Sequence, residues 1–316
     1  MNGKAAGVLV AKLLLSVGLL ALVLAKVDPA SIVEVLLKAD PWLVVLWYAL
    51  VSANTALVAW RWEILSPGLS YGTALKYTWI GVFFGHVLPG SIAGDIAKGV
   101  SLALNDNSAR SGLAASIVAD KVVGLAALIL LFDLACVVVY LLYGDDYVQI
   151  RHLAVIALVL SLAGMIAGVV AVIFAARGES ATTDGRAGLV VRAVQSLAGA
   201  SKFYSKKPAL LLRAFAISSA SHVLNMVAMY LSFRALRVDA GMLIAAVVYP
   251  VLSVMLLIPI SISGIGVRDA TLAVLFALFG LPAASGVALS WLALFATVPN
   301  VAIGGAIQLW EMYRKR

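Results

Sequence analysis

The chain has very little charge. Only 12% of its 316 residues are Asp, Glu, Lys or Arg, whereas 63% are hydrophobic. A soluble domain carries about 25% charged residues and roughly half apolar ones, since charged side chains cover the surface that faces water. So few charges exclude a water-soluble globular protein and predict one that is embedded in a membrane.

Residues that carry common chemistry are also scarce. The single cysteine, Cys136, lies in an apolar run, which excludes an intrachain disulfide and a thiolate metal site. The three histidines, His86, His152 and His222, lack metal-ligand spacing, and the sequence contains neither a phosphate-binding loop nor a G-x-S-x-G motif. We therefore expect no enzyme activity, no catalytic residue, no metal and no cofactor.

The basic residues indicate topology rather than nucleic-acid binding. The net charge is +8, but the lysines and arginines lie between apolar stretches instead of clustering on one surface. Loop 177–209 and the tail 314–316 are rich in them, which predicts that both are cytoplasmic. We expect the cytoplasmic (inner) membrane, with both termini inside and residues 7–25 as an uncleaved span rather than a signal peptide.

Apolar segments predict an all-α polytopic membrane protein. A span needs about 20 apolar residues, and two further regions, 70–104 and 241–280, are apolar but interrupted by Pro and Gly. Such interruptions favour re-entrant hairpins of two short helices, which are tolerated where protein or a water-filled cavity surrounds them. The six full spans are predicted at 7–25, 41–60, 112–143, 152–176, 210–233 and 283–309.

The two interrupted regions share a motif. Pro89-Gly-Ser-Ile-Ala-Gly94 and Pro259-Ile-Ser-Ile-Ser-Gly264 both fit P-x-S-I-x-G, and a cation follows each proline after nine residues. The predicted topology places the two hairpins in opposite orientations, which is typical of inverted-repeat transporters. We interpret the chain as one membrane domain with repeats at about 41–143 and 210–309. The alternative is two unrelated kinks.

The breaks have the chemistry of an anion site. A helix that begins after a break directs free N–H groups and a partial positive charge towards it, while glycines allow close approach of a ligand. Arginine and lysine add full charges that suit phosphate. The alternative is that small residues serve helix packing and the charges form structural pairs, as Asp95 and Lys98 at i and i+3 can. The candidate binding residues are Pro89, Gly90, Ser91, Gly94, Asp95, Lys98, Ser261, Gly264, Gly266 and Arg268, with Ser263 as a further hydroxyl.

Other polar residues within apolar segments are candidate supporting or relay groups, because charges inside a bilayer are costly and usually functional. For Asp133 we expect either a cation from another helix or a proton, and for Lys12 and Lys76 we expect snorkelling to the interface. The supporting candidates are Arg61, His86, Asp120, Lys121, Asp133 and Asp269.

Four motifs resemble the lysylphosphatidylglycerol synthase transmembrane family, also called the flippase-like domain family. They are Trp60-Arg61-Trp62, the segment 88–95 (LPGSIAGD), the segment 120–125 (DKVVGL) and the segment 259–269 (PISISGIGVRD). The resemblance implies a membrane domain that translocates lipids, which in some members is fused to an aminoacyl transferase. We expect a stand-alone member, since the chain ends at Arg316. Ala93, Lys98 and Lys121 depart from the family pattern of a paired glycine and arginines.

We thus expect a translocase for an anionic phospholipid or a polyprenyl-phosphate-linked lipid. Lys98 and Arg268 would bind the phosphate, while Asp95, Asp120 and Asp269 would orient these cations. A lipid gradient or the proton-motive force would drive transport. The alternatives are a non-transporting subunit that presents lipid to a partner glycosyltransferase or aminoacyl transferase, and a small-solute transporter. The expected partners are an anionic membrane lipid and either a second copy of the chain or a membrane-associated transferase.

Overall fold

The computed structural model describes residues 3–66, 68–87, 93–105, 113–142, 207–258, 261 and 263–314, together with Tyr204 and single positions between 152 and 164. Within these residues the chain forms ten helices with defined bounds and no strand, so the predicted all-α class is confirmed. The helices are α1 (Gly3–Lys26), α2 (Pro29–Leu37), α3 (Pro41–Leu65), α4 (Tyr71–Val87), α5 (Ala93–Asn105), α6 (Leu113–Leu142), α7 (Pro208–Ala235), α8 (Met242–Leu257), α9 (Val267–Leu278) and α10 (Ala283–Arg314).

Four of these helices, α3, α6, α7 and α10, are long and apolar enough to cross a membrane. The shortest, α3, has 25 residues, which at 1.5 Å per residue exceeds the roughly 30 Å hydrocarbon core. Residues Lys12–Lys26 of α1 form a fifth candidate together with α2, from which they are bent by 87°. The predicted span at 152–176 and the loop 177–209 lie almost wholly outside the described residues.

Large apolar side chains cover the outside of these helices. Leu14 of α1, Leu141 of α6 and Leu212 of α7 are 69%, 72% and 70% exposed. Contact between such exposed leucines and water would be unfavourable, whereas contact with the hydrocarbon of a bilayer is not. The chain is therefore an integral membrane protein.

The bend between α1 and α2 is stabilised by a helix cap. Asp28 accepts hydrogen bonds from the N–H groups of Ala30 and Ser31 over 3.2 and 3.1 Å, and Pro29 stands at the first helical position, where a missing N–H costs nothing. These contacts begin α2 as a new helix instead of a continuation of α1.

Each predicted broken region consists of two short helices. Region 70–104 contains α4 and α5, and region 241–280 contains α8 and α9. The residues of the first break, 88–92, and residues 259, 260 and 262 of the second lie outside the described part of the chain. The repeat boundaries at 41–143 and 210–309 stay a prediction.

The chain divides into two compact units. Unit 1 comprises Met1–Ala56, Leu75–Ser101 and Val223–Arg316, and unit 2 comprises Leu57–Ala74 and Leu102–His222. In unit 1, Phe233 of α7 and Phe276 of α9 meet edge to face at 5.5 Å in an apolar core. Unit 2 has its own apolar core around Leu65. Both broken regions have their breaks in unit 1.

Candidate functional site

The first hairpin packs backbone against backbone. A Cβ atom on Gly94 of α5 would stand 2.4 Å from the carbonyl oxygen of Gly81 and 3.0 Å from the Cα atom of Gly85, both in α4. Any larger residue at position 94 would push the two helices apart. The sequence left two roles open for Gly94, which were close approach of a ligand and helix packing. The structure shows that this glycine serves helix packing.

Lys98 of α5 carries a buried positive charge in this hairpin. Its residue is 2% exposed, and its Nζ atom lies 3.2 Å from Oδ1 of Asp95, one turn earlier. The predicted pairing of these two residues is thus confirmed. The side chain of Lys98 also lies along α4, because a Cβ on Gly81 would meet its Cβ atom at 3.2 Å. Pro89, Gly90 and Ser91 lie outside the described residues.

The second hairpin turns through left-handed backbone. Ser263, Gly264 and Gly266 have φ angles of +52°, +77° and +80°, a region in which glycine is the least strained residue. Ser261, at the start of this turn, is buried. The carbonyl oxygen of Gly264 accepts the N–H of Arg268 over 2.7 Å. The two glycines are therefore required by the turn itself.

Asp269 caps α9, instead of pairing with a cation within 4 Å in the described part of the chain. Its Oδ2 atom accepts the N–H of Gly266 over 2.8 Å, so this amide and that of Arg268 are both occupied. The guanidinium of Arg268 is buried and donates from Nε to Ser290 of α10 over 3.0 Å. Neither of these two amides is therefore free to bind an anion, although the sequence predicted free N–H groups at this break.

The two hairpins meet in unit 1. The hydroxyl of Ser263 donates to the carbonyl oxygen of His86 over 2.8 Å. His86 lies three residues before Pro89, and Ser263 lies four residues after Pro259. The Nδ1 atom of His86 donates back to the carbonyl of Val82 over 2.8 Å, since a carbonyl can only accept. The edges of both breaks are therefore in direct contact.

The two hairpins differ in where the cation falls. Both cations follow their proline by nine residues, but α5 begins at Ala93 and α9 begins at Val267. Lys98 is consequently the sixth residue of its helix, whereas Arg268 is the second. The offset arises because α5 begins four residues after Pro89, whereas α9 begins eight residues after Pro259.

A second polar cluster lies in unit 2. Arg61 of α3 donates from Nε to Oδ1 of Asp120 over 2.6 Å and from Nη1 to Ser218 of α7 over 3.1 Å. A Cβ on Gly124 would stand 3.1 Å from Nη1, and the carbonyl of this glycine lies 2.9 Å from Nε2 of His222. The cluster ties α3, α6 and α7 together, and it includes Arg61 and Asp120 from two of the quoted motifs.

This cluster corrects the role expected for Asp120. Its structural partner is Arg61, whereas the sequence assigned it to Lys98 or Arg268. Ser218 and His222 complete the cluster, and neither was a candidate site residue. A polar residue every fourth position along one face of α7 was the available signal.

The structure also places the other charged residues that the sequence singled out, and it contradicts the expectation for Lys76. The carboxylate of Asp133 accepts the hydroxyl of Ser161 at 3.0 and 2.9 Å, and no cation pairs with it among the described residues. Lys76 forms an ion pair with Glu311 over 2.8 Å in unit 1 instead of snorkelling. Lys12 is partly buried and Lys121 is exposed.

Unit 1 contains two buried cations, one beside each break. Lys98 and Arg268 are both buried, each follows a break, and the two breaks touch. Within the described ranges, no group of three His, Cys, Asp or Glu side chains could hold a metal ion. The chemistry available to the two cationic side chains is electrostatic and hydrogen-bond contact with an anion.

Comparison with known proteins identifies a family. A family model described as the lysylphosphatidylglycerol synthase TM region matches residues 9–304. The match includes both broken hairpins and all four motifs quoted from the sequence. Among curated proteins and among solved structures, no significant match was found.

Proposed function

The chain belongs to the lysylphosphatidylglycerol synthase transmembrane family, and we propose that it translocates an anionic phospholipid or a polyprenyl-phosphate-linked lipid across the cytoplasmic membrane. The observation that carries this proposal is the contact between Ser263 and His86, which joins two interrupted helices inside one unit. Interrupted helices at membrane depth are the usual places where transporters bind substrate.

The buried cations support an anionic headgroup. A charged residue inside a membrane is costly and is retained mainly where it binds something. Arg268 has its Nε atom committed to Ser290, which leaves the two terminal nitrogens of its fork to face a phosphate. Lys98 now pairs with Asp95, so we propose that a phosphate replaces Asp95 as its partner during transport. The acyl chains would stay in the lipid.

The proposal also includes the topology of the chain in the membrane. We propose that the hairpins belong to an inverted repeat, that both termini are cytoplasmic, and that the chain performs no chemical step itself. An anionic lipid is its partner, and a second copy or a membrane-associated transferase is a further one. A fluorescent reporter that matures only in the cytoplasm, fused after Arg316, is expected to fluoresce, whereas a periplasmic reporter at the same place stays inactive.

Translocation of a fluorescent anionic lipid in proteoliposomes tests the function. Wild-type vesicles are expected to move lipid faster than protein-free vesicles. The double variant Lys98→Met with Asp95→Asn removes the first cation without leaving an unpaired carboxylate, and it should slow translocation. The matched control is Lys76→Met with Glu311→Gln, an ion pair of the same unit that lies away from both breaks, and it should keep the wild-type rate.

The second cation is tested by a conservative change. Arg268→Lys keeps the charge but loses the fork that binds phosphate bidentately. The loss of one charge-assisted hydrogen bond, about 1.5–3 kcal/mol, corresponds to a rate roughly ten- to a hundredfold lower if the bond forms in transit. The alternative is a subunit that presents lipid to a transferase. It would be supported if the wild-type protein copurifies with anionic lipid but does not translocate it in proteoliposomes.

A further inference from the structure

Asp269 is an unusual carboxyl group in the second hairpin. It is 3% exposed, and while Oδ2 accepts the N–H of Gly266, Oδ1 is buried without a hydrogen-bond partner among the described residues. An unsatisfied oxygen on a buried carboxylate costs free energy that a satisfied one does not. Uptake of a proton at Oδ1 would remove the negative charge of the carboxylate and turn this oxygen into a hydrogen-bond donor.

The capping role of Asp269 is compatible with both protonation states. The cap uses Oδ2 as an acceptor, and a carboxylic acid keeps one acceptor oxygen while the other carries the proton. Protonation at Oδ1 would therefore leave the start of α9 intact. The group can change its charge without unfolding its own helix.

Protonation would change the charge of the site. Arg268 and Asp269 are consecutive residues, and together their charges cancel when both are ionised. With Asp269 neutral, the positive charge of Arg268 is no longer compensated. An anion near the guanidinium and a proton on the neighbouring carboxyl group would then each favour the binding of the other, because linkage between two sites is reciprocal.

Few other charges surround this carboxyl group. Among the helices packed on α9, α8 contains no Asp, Glu, Lys or Arg, and its titratable residue is Tyr249. In α10 the ionisable residues are Glu311, Tyr313 and Arg314. The first of them, Glu311, lies 21 positions beyond Ser290, or about 30 Å along the helix, so none of the three reaches Asp269.

The remaining ionisable neighbours lie in α1 and in the first hairpin. α1 crosses the turn at Ser16, whose carbonyl would stand 2.5 Å from a Cβ on Gly266, and Lys12 lies one turn earlier on the same face of α1. The first hairpin contributes His86 through its contact with Ser263, and it also contains the carboxylate of Asp95. Asp95 is already paired with Lys98, whereas Oδ1 of Asp269 has no hydrogen-bond partner among the described residues. Asp269 is therefore the carboxyl group beside the two breaks that is best placed to take up a proton.

We infer that Asp269 is a proton-binding site that couples proton uptake to the binding of the anionic headgroup at Arg268. The inference rests on the proposed function and names its coupling ion. In the step, a hydronium ion transfers its proton to the carboxylate, and this gives a carboxylic acid and water. The lipid phosphate then replaces the carboxylate as the counterion of the guanidinium.

Proton uptake measured on the purified full chain tests the inference. The protein is placed in detergent in weakly buffered solution with a pH indicator, and phosphatidylglycerol is added as the probe. Its phosphodiester stays ionised near neutral pH, so any uptake belongs to the protein. We expect about one proton per lipid bound and none with zwitterionic phosphatidylcholine. Wild-type protein that binds phosphatidylglycerol without proton uptake overturns the inference but leaves the proposed function standing.

Two variants locate the proton. Asp269→Asn should still fold and bind phosphatidylglycerol, because an asparagine oxygen can accept the N–H of Gly266. It should show no proton uptake, because an amide side chain does not titrate. The matched control Glu311→Gln removes a carboxyl group of the same unit and should retain uptake. Undiminished uptake in Asp269→Asn overturns the assignment, and the wild-type measurement decides the coupling even if that variant does not fold. Absence of both phosphatidylglycerol binding and translocation in the wild type overturns the proposed function and the inference with it.

Discussion

Arg61 and Asp120 form a buried ion pair, in which Nε of the guanidinium lies 2.6 Å from Oδ1 of the carboxylate. The remaining hydrogen-bonding capacity of Arg61 reaches Ser218, so the pair connects three helices of unit 2. A buried pair of this kind contributes little net free energy compared with apolar residues, but each partner is needed once the other is present. This asymmetry makes the pair testable.

We predict that Arg61→Met destabilises the protein by about 3–5 kcal/mol, because it leaves Asp120 charged and buried without its partner. The double variant Arg61→Met with Asp120→Leu should recover a large part of this loss. Unfolding followed in detergent measures both. The control is Lys38→Met, which breaks the exposed pair with Glu34 and should cost less than about 0.5 kcal/mol. A double variant less stable than the single one would contradict the prediction.

Much of the fold could be predicted because apolar length is a strong signal. The predicted spans 41–60, 112–143, 210–233 and 283–309 correspond to α3, α6, α7 and α10, since a run of about 20 apolar residues leaves the backbone no alternative to a helix in lipid. The two breaks were equally readable from Pro and Gly. The end of each helix was less so, because caps and turns depend on a few polar contacts.

The partners of the charged residues could not be predicted in the same way. Asp95 and Lys98 are neighbours on one helix, so their pairing follows from spacing alone. Asp120 is separated from Arg61 by 59 positions, and Lys76 from Glu311 by 235. Such pairs are decided by how helices pack, which composition and periodicity do not specify. The sequence therefore identified polar residues of interest but assigned some of them to the wrong cation.

The crossing of α4 and α10 depends on a glycine. A Cβ on Gly304 would stand 2.2 Å from the carbonyl oxygen of Trp79 and 2.9 Å from Cβ of Phe83. We predict that Gly304→Ala destabilises the protein by about 1–3 kcal/mol, because the backbone of α4 cannot move aside cheaply. In the control Gly18→Ala, nothing lies within 4 Å of the new methyl group, and stability should stay equal or rise by up to about 1 kcal/mol. Thermal unfolding in detergent distinguishes the two; equal effects would refute the crossing.

The turn before α9 combines backbone strain with a close contact, and two variants separate these effects. Gly280 has φ +69° and open space around it, so Gly280→Ala should cost only the left-handed conformation, about 1–2 kcal/mol. Gly266 has φ +80°, and a Cβ there would meet the carbonyl oxygen of Ser16 at 2.5 Å. We predict that Gly266→Ala costs at least about 1 kcal/mol more than Gly280→Ala. Equal losses in the same unfolding experiment would mean that α1 does not cross this turn.

Tyr204 is expected to make the free energy of unfolding fall with rising pH in the alkaline range. Its hydroxyl donates to the carbonyl of Leu65, and burial, with a smaller contribution from the negative charge of Asp120, raises the pKa of Tyr204 from 10 to about 12. The folded state then resists ionisation that the unfolded chain undergoes above pH 10. The stabilisation is complete below pH 10 and is lost as the pH rises towards 12. We predict that Tyr204→Phe costs about 1 kcal/mol at pH 8 and that its deficit relative to wild type shrinks between pH 10 and 12. The comparison of variant with wild type cancels the titration of the other tyrosines. A deficit that stays constant between pH 10 and 12 would show that Tyr204 ionises as freely in the folded protein as in the unfolded chain.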